Sequence, residues 1–379
     1  MKKGGCLSLF LKMLGGLLIL LILLLGGIAV YNQTLPDSSP VLARLSKEEL
    51  TRIREITHLR NTLGDEVWPG WSKQDIPILL YNEDYAFLTG IENPSPGWER
   101  IPYGVEGGGK WDPVPDASYY RQQLPEDGST PQAFIVRIGN TYAASMTTKA
   151  WTSIRMVQLI KSELPAVSKP VFPYFLFTNH FNSDWYISAV LHESFHVLQA
   201  RVAYNRLVES EQSTALETEY PWGDDRFREQ WLKERQILAE ALETKDSLDL
   251  KKKVVEWSAF RKERREELPE NLVHYEQRRE WLEGLAKYAE IAIWQAAYES
   301  EDYEPVQGML QDSEFDRYQE APDYRNREIS QLRSDLQFSE SMFYYTGWAQ
   351  AELLDRLDTE WKAKIMKEEV YLDELLESQ

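Results

Sequence analysis

The longest unbroken apolar stretch of the chain lies near its amino terminus. Residues 13–31 read MLGGLLILLILLLGGIAVY and contain no charged side chain. A helix of this length covers a hydrocarbon layer of roughly 30 Å, whereas the apolar part of a cleaved signal peptide usually has about 7–15 residues. The pattern therefore predicts an uncleaved transmembrane helix at 13–31.

The charges that flank this stretch predict its orientation. Three lysines precede it, and the next basic residue is Arg44. Because positively charged flanks stay on the cytoplasmic side, we expect residues 1–12 in the cytoplasm and the rest of the chain on the extracytoplasmic side. Residues 32–45 are polar and contain prolines, which is typical of a linker. A folded body then begins at residue 46.

The first part of this body, residues 46–200, mixes helical and strand periodicity. Ser46 and Glu49 form a capping-box pattern before apolar residues spaced by three and four, which predicts a helix to about Leu63. Short β-rich runs separated by glycine and proline predict a small twisted sheet. These runs are Ile76–Tyr81, Tyr85–Leu88 and Ala133–Ile138. The pattern further predicts a helix from Thr148 to Leu164, a strand from Val171 to Phe177, and a helix from about Asp184 capped by Asn182 or Ser183.

The second part, residues 201–379, is long, charged and helical in its periodicity. Proline-containing breaks separate the predicted helices. These helices are Asp225–Leu242, Asp249–Leu268, Glu276–Ser300, Arg327–Leu357 and a last stretch to Leu375. We therefore expect an α+β protein in which a small sheet is followed by a mainly helical lobe.

Composition excludes several classes of function. Hydrophobic residues make up 43% of the chain, which suffices for a large core, and the net charge of −19 disfavours nucleic acid as a partner. The only cysteine, Cys6, lies beside the apolar stretch, so the body has no thiol for a disulfide, a metal or a nucleophile. The glycine run at Gly107–Lys110 lacks the P-loop spacing and predicts a turn.

One motif carries chemistry. His192-Glu193-Ser194-Phe195-His196 is H-E-x-x-H, within an apolar context that predicts a helix. Residues i and i+4 share a helix face, so both imidazoles can reach one Zn²⁺ while Glu193 lies beside the metal-bound water. The alternative is an ordinary packed helix whose two histidines are partners of buried acids.

Two histidines do not complete a catalytic zinc site, which needs a third protein ligand and one open position. The longer H-E-x-x-H-x-x-G-x-x-H pattern is absent, since Gln199 stands where its glycine is expected. A glutamate from another helix is the remaining common solution.

Residues 281–290, WLEGLAKYAE, supply such a glutamate. Together with H-E-x-x-H, this segment resembles the E-G-x-A-x-Y element of gluzincin zinc metallopeptidases. The resemblance covers about residues 172–357 and implies that Glu283 is the third zinc ligand. Glu217 and Glu219 are alternatives, although their segment reads as a helix end entering a turn. Glu290 lies two turns after Glu283 and is either an outer acceptor for a ligand imidazole or a structural acid.

Gluzincins commonly bring a tyrosine or histidine from downstream to stabilise the oxyanion, and Tyr344 and Tyr345 are the candidates here. Their alternative role is that of core aromatics. His180, twelve residues before His192, reads as a loop histidine without a metal role.

The expected fold is thus zincin-like, with a cleft between the two lobes. The expected function is zinc-dependent hydrolysis of peptide bonds by a membrane-anchored enzyme, with Glu193 as general base. The strand predicted at Val171–Phe177 is expected to offer an edge to an extended peptide. A catalytically silent scaffold on the same frame and a hydrolase of non-peptide amides are the alternatives.

Overall fold

The computed structural model describes residues 5–101, 119–178, 181–335, 338–367 and 370–379. The predicted turn at Gly107–Lys110 and His180 lie outside the described residues. The described residues form an α+β structure with a small mixed sheet, as the sequence predicts.

Among the described residues, a sheet-containing part is followed by a helical part, as expected from the sequence. The amino-terminal part consists of α1 Gly5–Asn32, α2 Lys47–Val67, β1 Ile78–Tyr81, β2 Tyr85–Thr89, β3 Glu99–Ile101, β4 Tyr119–Gln123, β5 Phe134–Ile138, β6 Thr141–Thr147, α3 Lys149–Glu163, α4 Phe175–Thr178 and α5 Ser183–Val202. The carboxyl-terminal part consists of α6 Tyr204–Gln212, α7 Asp225–Glu243, α8 Ser247–Arg265, α9 Glu270–Arg279, a π-helix Glu280–Gly284, α10 Leu285–Glu299, α11 Ala321–Leu332, α12 Met342–Leu357, α13 Trp361–Ile365 and α14 Leu372–Glu377.

The sheet has the strand order β3-β4-β2-β1-β6-β5. β1 and β6 pair in parallel and the other neighbours pair antiparallel, so that β5 lies at one edge of the sheet. The three predicted strand runs are confirmed as β1, β2 and β5. Strands β3, β4 and β6 are not predicted. β3 is short, and β4 is rich in polar side chains.

A large apolar core, accompanied by two smaller apolar clusters, joins the two parts of the body. Its buried side chains extend along the chain from Leu45 to Leu376 and include residues of α2, β1, α5 and α10. Helix α5 packs on β6 on one side and on α10 on the other. The H-E-x-x-H motif therefore lies on a helix that is enclosed between the sheet and the helical lobe.

The strand predicted at Val171–Phe177 is wrong. The segment forms a 3₁₀ turn at Lys169–Val171 followed by the short helix α4. Pro170 and Pro173 explain the difference, because a proline ring lacks the N–H that a strand must donate to its neighbour. An edge for substrate cannot lie at this segment.

The helix predicted from Arg327 to Leu357 is also wrong, since α11 ends at Leu332 and α12 begins at Met342. Arg235, on α7, donates hydrogen bonds to the carbonyl oxygens of Gln331 and Ser334 at 3.2 and 3.0 Å. The two carbonyl oxygens lie at the end of α11, where carbonyl groups lack partners within the helix, and Arg235 binds them instead. Local periodicity does not reveal this contact between distant segments.

A buried network of ion pairs and hydrogen bonds connects the π-helix to α7, α8 and α12. Arg261 donates to Glu234 at 2.8 Å and to Glu280 at 2.5 Å, and Thr346 of α12 donates to Glu280 at 2.7 Å. All four side chains are buried. Removing one partner from such a network leaves a buried uncompensated charge, which typically costs about 3–5 kcal/mol. Glu280 thereby fixes the π-helix and α12 to each other.

The amino-terminal helix α1 is long and apolar enough to cross a membrane. Its window Lys12–Asn32 has a mean hydropathy of 2.8, and none of that window is buried in the structure. The residues that follow run along the body. Ser39 donates to the Glu83 carboxylate through its amide and hydroxyl, and Asn82 donates to the carbonyl oxygen of Leu42 at 2.9 Å.

Candidate metal centre

Helix α5 holds the H-E-x-x-H motif rigidly. Asn182 caps it, as predicted, by accepting a hydrogen bond from the amide of Trp185 at 2.8 Å. In its first turn the buried Asp184 accepts a hydrogen bond from the amide of Asp316 at 2.7 Å and another from the amide of Tyr318. The motif therefore lies on a regular helix that is tied at its beginning to the helical lobe.

His192, His196 and Glu283 converge at one point. The two Nε2 atoms lie 3.2 Å apart, and Glu283 Oε2 lies 3.4 Å from each of them. Four ligand atoms placed tetrahedrally at about 2.0–2.1 Å from an ion are roughly 3.3–3.4 Å apart. The three buried side chains therefore form a group that can hold a metal ion. This is the arrangement expected for Glu283.

The alternative ligands do not join this group. Glu217 and Glu219 lie on the 3₁₀ helix Ser213–Glu219, and the metal-binding group found among the described residues contains neither of them. The structure brings the downstream glutamate, not the nearer ones, to the two imidazoles.

Glu283 projects from a π-helix where the sequence predicts an uninterrupted α-helix. The next residue, Gly284, lies directly against Gly347 of α12, and a Cβ at position 284 would come within 2.4 Å of the Gly347 Cα. Any larger residue at either glycine would separate the two helices. The close approach places α12 directly beside the π-helix that carries Glu283.

Outer hydrogen bonds orient both imidazoles. His192 Nδ1 lies 3.1 Å from the Glu290 carboxylate, and His196 Nδ1 lies 2.7 Å from the amide oxygen of Gln199. The Gln199 amide group in turn donates to the carbonyl oxygens of Trp281 and Leu282, at 2.9 and 3.1 Å. These contacts leave both Nε2 atoms directed at Glu283. Such partners fix the ring orientation and the tautomer of metal-binding histidines.

The sequence predicts one of these two outer partners but not the other. Glu290 is placed where the sequence suggests an outer acceptor. Gln199 was not predicted in that role, although its position one turn after His196 on α5 is a usable signal. The buried Lys287 and Tyr324 also bond the Glu290 carboxylate, and the pairing with Tyr324 depends on α11 packing against α10.

Arg279 supports Glu283 from the side opposite the histidines. Its guanidinium donates to Glu283 Oε1 at 2.9 Å and also pairs with Glu211 and Glu340. Burial raises the pKa of Glu283, but His196, His192 and Arg279 outweigh burial and hold the pKa well below its usual value. Glu283 is thus ionised, as a metal ligand must be.

Glu193 is half-buried, and one oxygen of its carboxylate has no hydrogen-bond partner among the described residues. This oxygen, Oε2, is itself buried. Burial raises the pKa of Glu193 to about 8, although the adjacent His192 opposes this rise. A carboxyl group whose pKa lies near neutrality is suited to accept and release a proton at neutral pH.

The two candidate tyrosines occupy different places. The Tyr344 ring stacks on the His192 ring with a centroid distance of 5.9 Å and an interplanar angle of 11°. Burial and the nearby Glu283 raise the pKa of Tyr344 well above its usual value, so its hydroxyl stays protonated. The Tyr345 side chain instead packs against the apolar core. Tyr344 is therefore the tyrosine that faces the metal group.

We expect the affinity of the metal-free protein for Zn²⁺ to rise by roughly tenfold per pH unit between pH 6 and 8. Burial lowers the pKa of His192, but the hydrogen bonds that its ring donates to the Glu283 and Glu290 carboxylates outweigh burial and raise the pKa to about 10. The imidazole is thus protonated across this range, and its proton must leave before Nε2 can coordinate. Competition with a fluorescent chelator at pH 6, 7 and 8 measures the slope. An affinity that does not change with pH, after correction for the chelator, contradicts this account of His192.

The chain matches no protein-family model, no curated protein and no solved structure. The geometry of the site is therefore the only guide to its function.

Proposed function

We propose that this protein is a membrane-anchored zinc hydrolase that cleaves peptide bonds. The observation that carries the proposal is the combination of the His192, His196 and Glu283 group with the unpartnered carboxylate of Glu193. A purely structural zinc site closes all four positions with ligands and has no use for a free carboxylate beside it. Two imidazoles, one carboxylate and an adjacent base match the needs of water activation instead.

In this proposal the Zn²⁺ would be held by His192, His196 and Glu283. Hydrogen bonds to Gln199 and Glu290 fix the orientation of the two imidazole rings. The bound ion supplies positive charge that makes water more acidic and polarises the substrate carbonyl. Glu193 accepts the proton of the attacking water and then delivers it to the leaving amine. Arg279 keeps Glu283 ionised and oriented throughout.

Tyr344 is the donor that we assign to the oxyanion. Its ring is fixed against His192, and its raised pKa keeps the hydroxyl proton available for a hydrogen bond. Tyr345 faces the core and is assigned to packing.

Replacing Tyr344 by phenylalanine is expected to lower kcat by about 10²–10³-fold with a smaller change in KM, as happens when one oxyanion donor is removed. Steady-state kinetics on a peptide substrate measure both constants. Tyr345→Phe is the matched control, since it removes a neighbouring hydroxyl from the same helix and should leave kcat within a few-fold. Equal losses in the two variants, or a loss confined to Tyr345→Phe, would reverse the assignment.

The edge strand β5 is the surface that we assign to substrate. It pairs with β6 alone among the described strands. The Phe134 ring lies 4.6 Å from the His196 ring, so one end of β5 is beside the metal group. An extended peptide can add to such an edge through main-chain hydrogen bonds, which gives affinity without strict sequence preference.

Helix α1 serves as the anchor in this proposal. Its length and hydropathy support insertion, and the lysines before it favour a cytoplasmic amino terminus with the body on the extracytoplasmic side.

Incubation of the purified full chain, loaded with one equivalent of Zn²⁺, with a mixed peptide library tests the proposal. Cleavage that stops when the zinc is removed and returns when it is restored is the expected result. Peptide binding without cleavage would instead favour a silent scaffold. Hydrolysis of small amides alone would favour a non-peptide substrate.

A further inference from the structure

Exposed apolar side chains gather in the segment that contacts the end of α1. Val167 is 88% exposed, Leu159 59% and Leu176 53%. In a chain with a net charge of −19, residues 164–178 contain no carboxylate and only one charged residue, Lys169. A surface of this composition is poorly suited to contact with water.

This segment is fixed to the carboxyl-terminal end of α1. The Tyr31 ring packs edge-on against the Phe175 ring with a centroid distance of 5.8 Å. The side chain of Asn32 donates to the carbonyl oxygens of Pro170 and Phe172, both at 2.9 Å. The position of the segment relative to the apolar helix is thus defined by specific contacts.

The contacts extend along α1 into its apolar part. Phe175 lines a groove of about 480 Å³ together with residues of α1, namely Leu23, Leu24, Gly27, Ile28 and Tyr31. A helix rises about 1.5 Å per residue, so Leu24 lies roughly 12 Å before Asn32 along the axis. Phe175 therefore lies beside the apolar part of α1 that we expect to be in lipid, and not beyond the end of this helix.

We propose that residues 159–176 form a second membrane-contacting surface, which inserts its apolar side chains into the bilayer interface next to α1. The inference depends on the anchor role of α1 in the proposed function. A lipid bilayer is the occupant because the surface continues the apolar face of α1 and because Glu163 is its one carboxylate, with none in residues 164–176. Insertion of apolar side chains, with lysine stems reaching toward the headgroups, is the usual mode of interfacial binding.

The linker after α1 supports a fixed placement. Ser39 is buried and bonded to Glu83, and Asn82 bonds the backbone at Leu42. The contacts of residues 170–175 and those of the linker thus hold the body against the end of α1. The body is not joined to α1 by a flexible linker alone. With the 159–176 surface in the interface, the body has one orientation relative to the bilayer.

Single-cysteine labelling of the full chain in phosphatidylcholine vesicles tests this surface. Cys6→Ser removes the only cysteine, and an environment-sensitive fluorophore is then placed at Val167→Cys or Leu176→Cys. Val255→Cys on α8 is the matched control, because Val255 is 68% exposed and belongs to a helix distant from α1 along the chain. Leu20→Cys, inside α1, reports on insertion of the anchor.

Labels at positions 167 and 176 should show blue-shifted emission and strong quenching by lipid-attached quenchers, while the label at 255 behaves as in water. A lipid signal at 20 combined with an aqueous signal at 167 and 176 overturns the surface and leaves the anchor standing. An aqueous signal at 20 overturns the anchor and the surface with it. A lipid signal at 255 equal to that at 167 shows general adsorption and also overturns the surface. Zinc-dependent peptide hydrolysis by each variant, measured separately, reports on the catalytic part of the proposed function.

Discussion

Replacing Glu193 by glutamine is expected to lower the rate of peptide hydrolysis by at least about 10²–10⁴-fold while zinc remains bound. General-base catalysis by a positioned side chain contributes an effect of this size. Glutamine has nearly the same shape as glutamate and cannot take a proton from water. Glu193 is not a member of the group that can hold the metal, so the ion should stay. Initial rates and metal content, measured on the same preparation, separate the two effects.

The control for this variant is Glu211→Gln. Glu211 is a half-buried carboxylate whose charge also acts on Glu193, but it pairs with Arg279 and is not part of the motif. Its replacement should change the rate only slightly. Full activity of Glu193→Gln would remove Glu193 as the base. An equal loss in Glu211→Gln would mean that the overall negative charge of the cleft, and not a specific base, determines the rate.

Replacing Glu283 by glutamine is expected to weaken zinc binding by more than about 100-fold, which corresponds to about 2.7 kcal/mol. Loss of an outer partner typically costs about 10–100-fold in metal affinity, and a direct ligand should cost more. The neutral amide oxygen is a weaker donor than a carboxylate. Arg279 retains Glu211 and Glu340 as partners in the variant, so the fold should survive. Competition with a chelator of known affinity measures the change.

Glu217→Gln and Glu219→Gln are the controls, because these were the alternative ligands from the sequence. Both should bind zinc as tightly as the wild type. Tight binding by Glu283→Gln, or its loss in Glu217→Gln, would show that the metal selects a different carboxylate from the one that the geometry favours.

The helix with the H-E-x-x-H motif was predictable because its signals are local. The cap at Asn182, the apolar context and the spacing of the two histidines all lie within fifteen residues, and the structure confirms each of them. The error at Val171–Phe177 has a local cause as well, since its apolar composition outweighed the two prolines in the prediction. The unpredicted strand β6 is held by its parallel partner β1, a contact between segments that are far apart in sequence.

The sequence indicates Glu283 as the third ligand only through a resemblance, and it predicts the helix around Glu283 but neither the π-helix nor the support from Arg279. The π-helix at Glu280–Gly284 depends on the contact between Gly284 and Gly347, which brings together two helices that are distant in the chain. The support from Arg279 was equally invisible, since an arginine four residues before a glutamate on a charged helix usually indicates an exposed pair. Both features depend on tertiary packing, which the local spacing of apolar and polar residues does not indicate.

The coordination of zinc in the wild-type protein tests the central claim most directly. X-ray absorption at the zinc edge, on the full chain carrying one equivalent of Zn²⁺, should show two imidazole nitrogens with oxygen donors at about 2.0–2.2 Å, from Glu283 and solvent. A shell that contains no imidazole, or one that is unchanged in the Glu283→Gln variant, would contradict the proposed site.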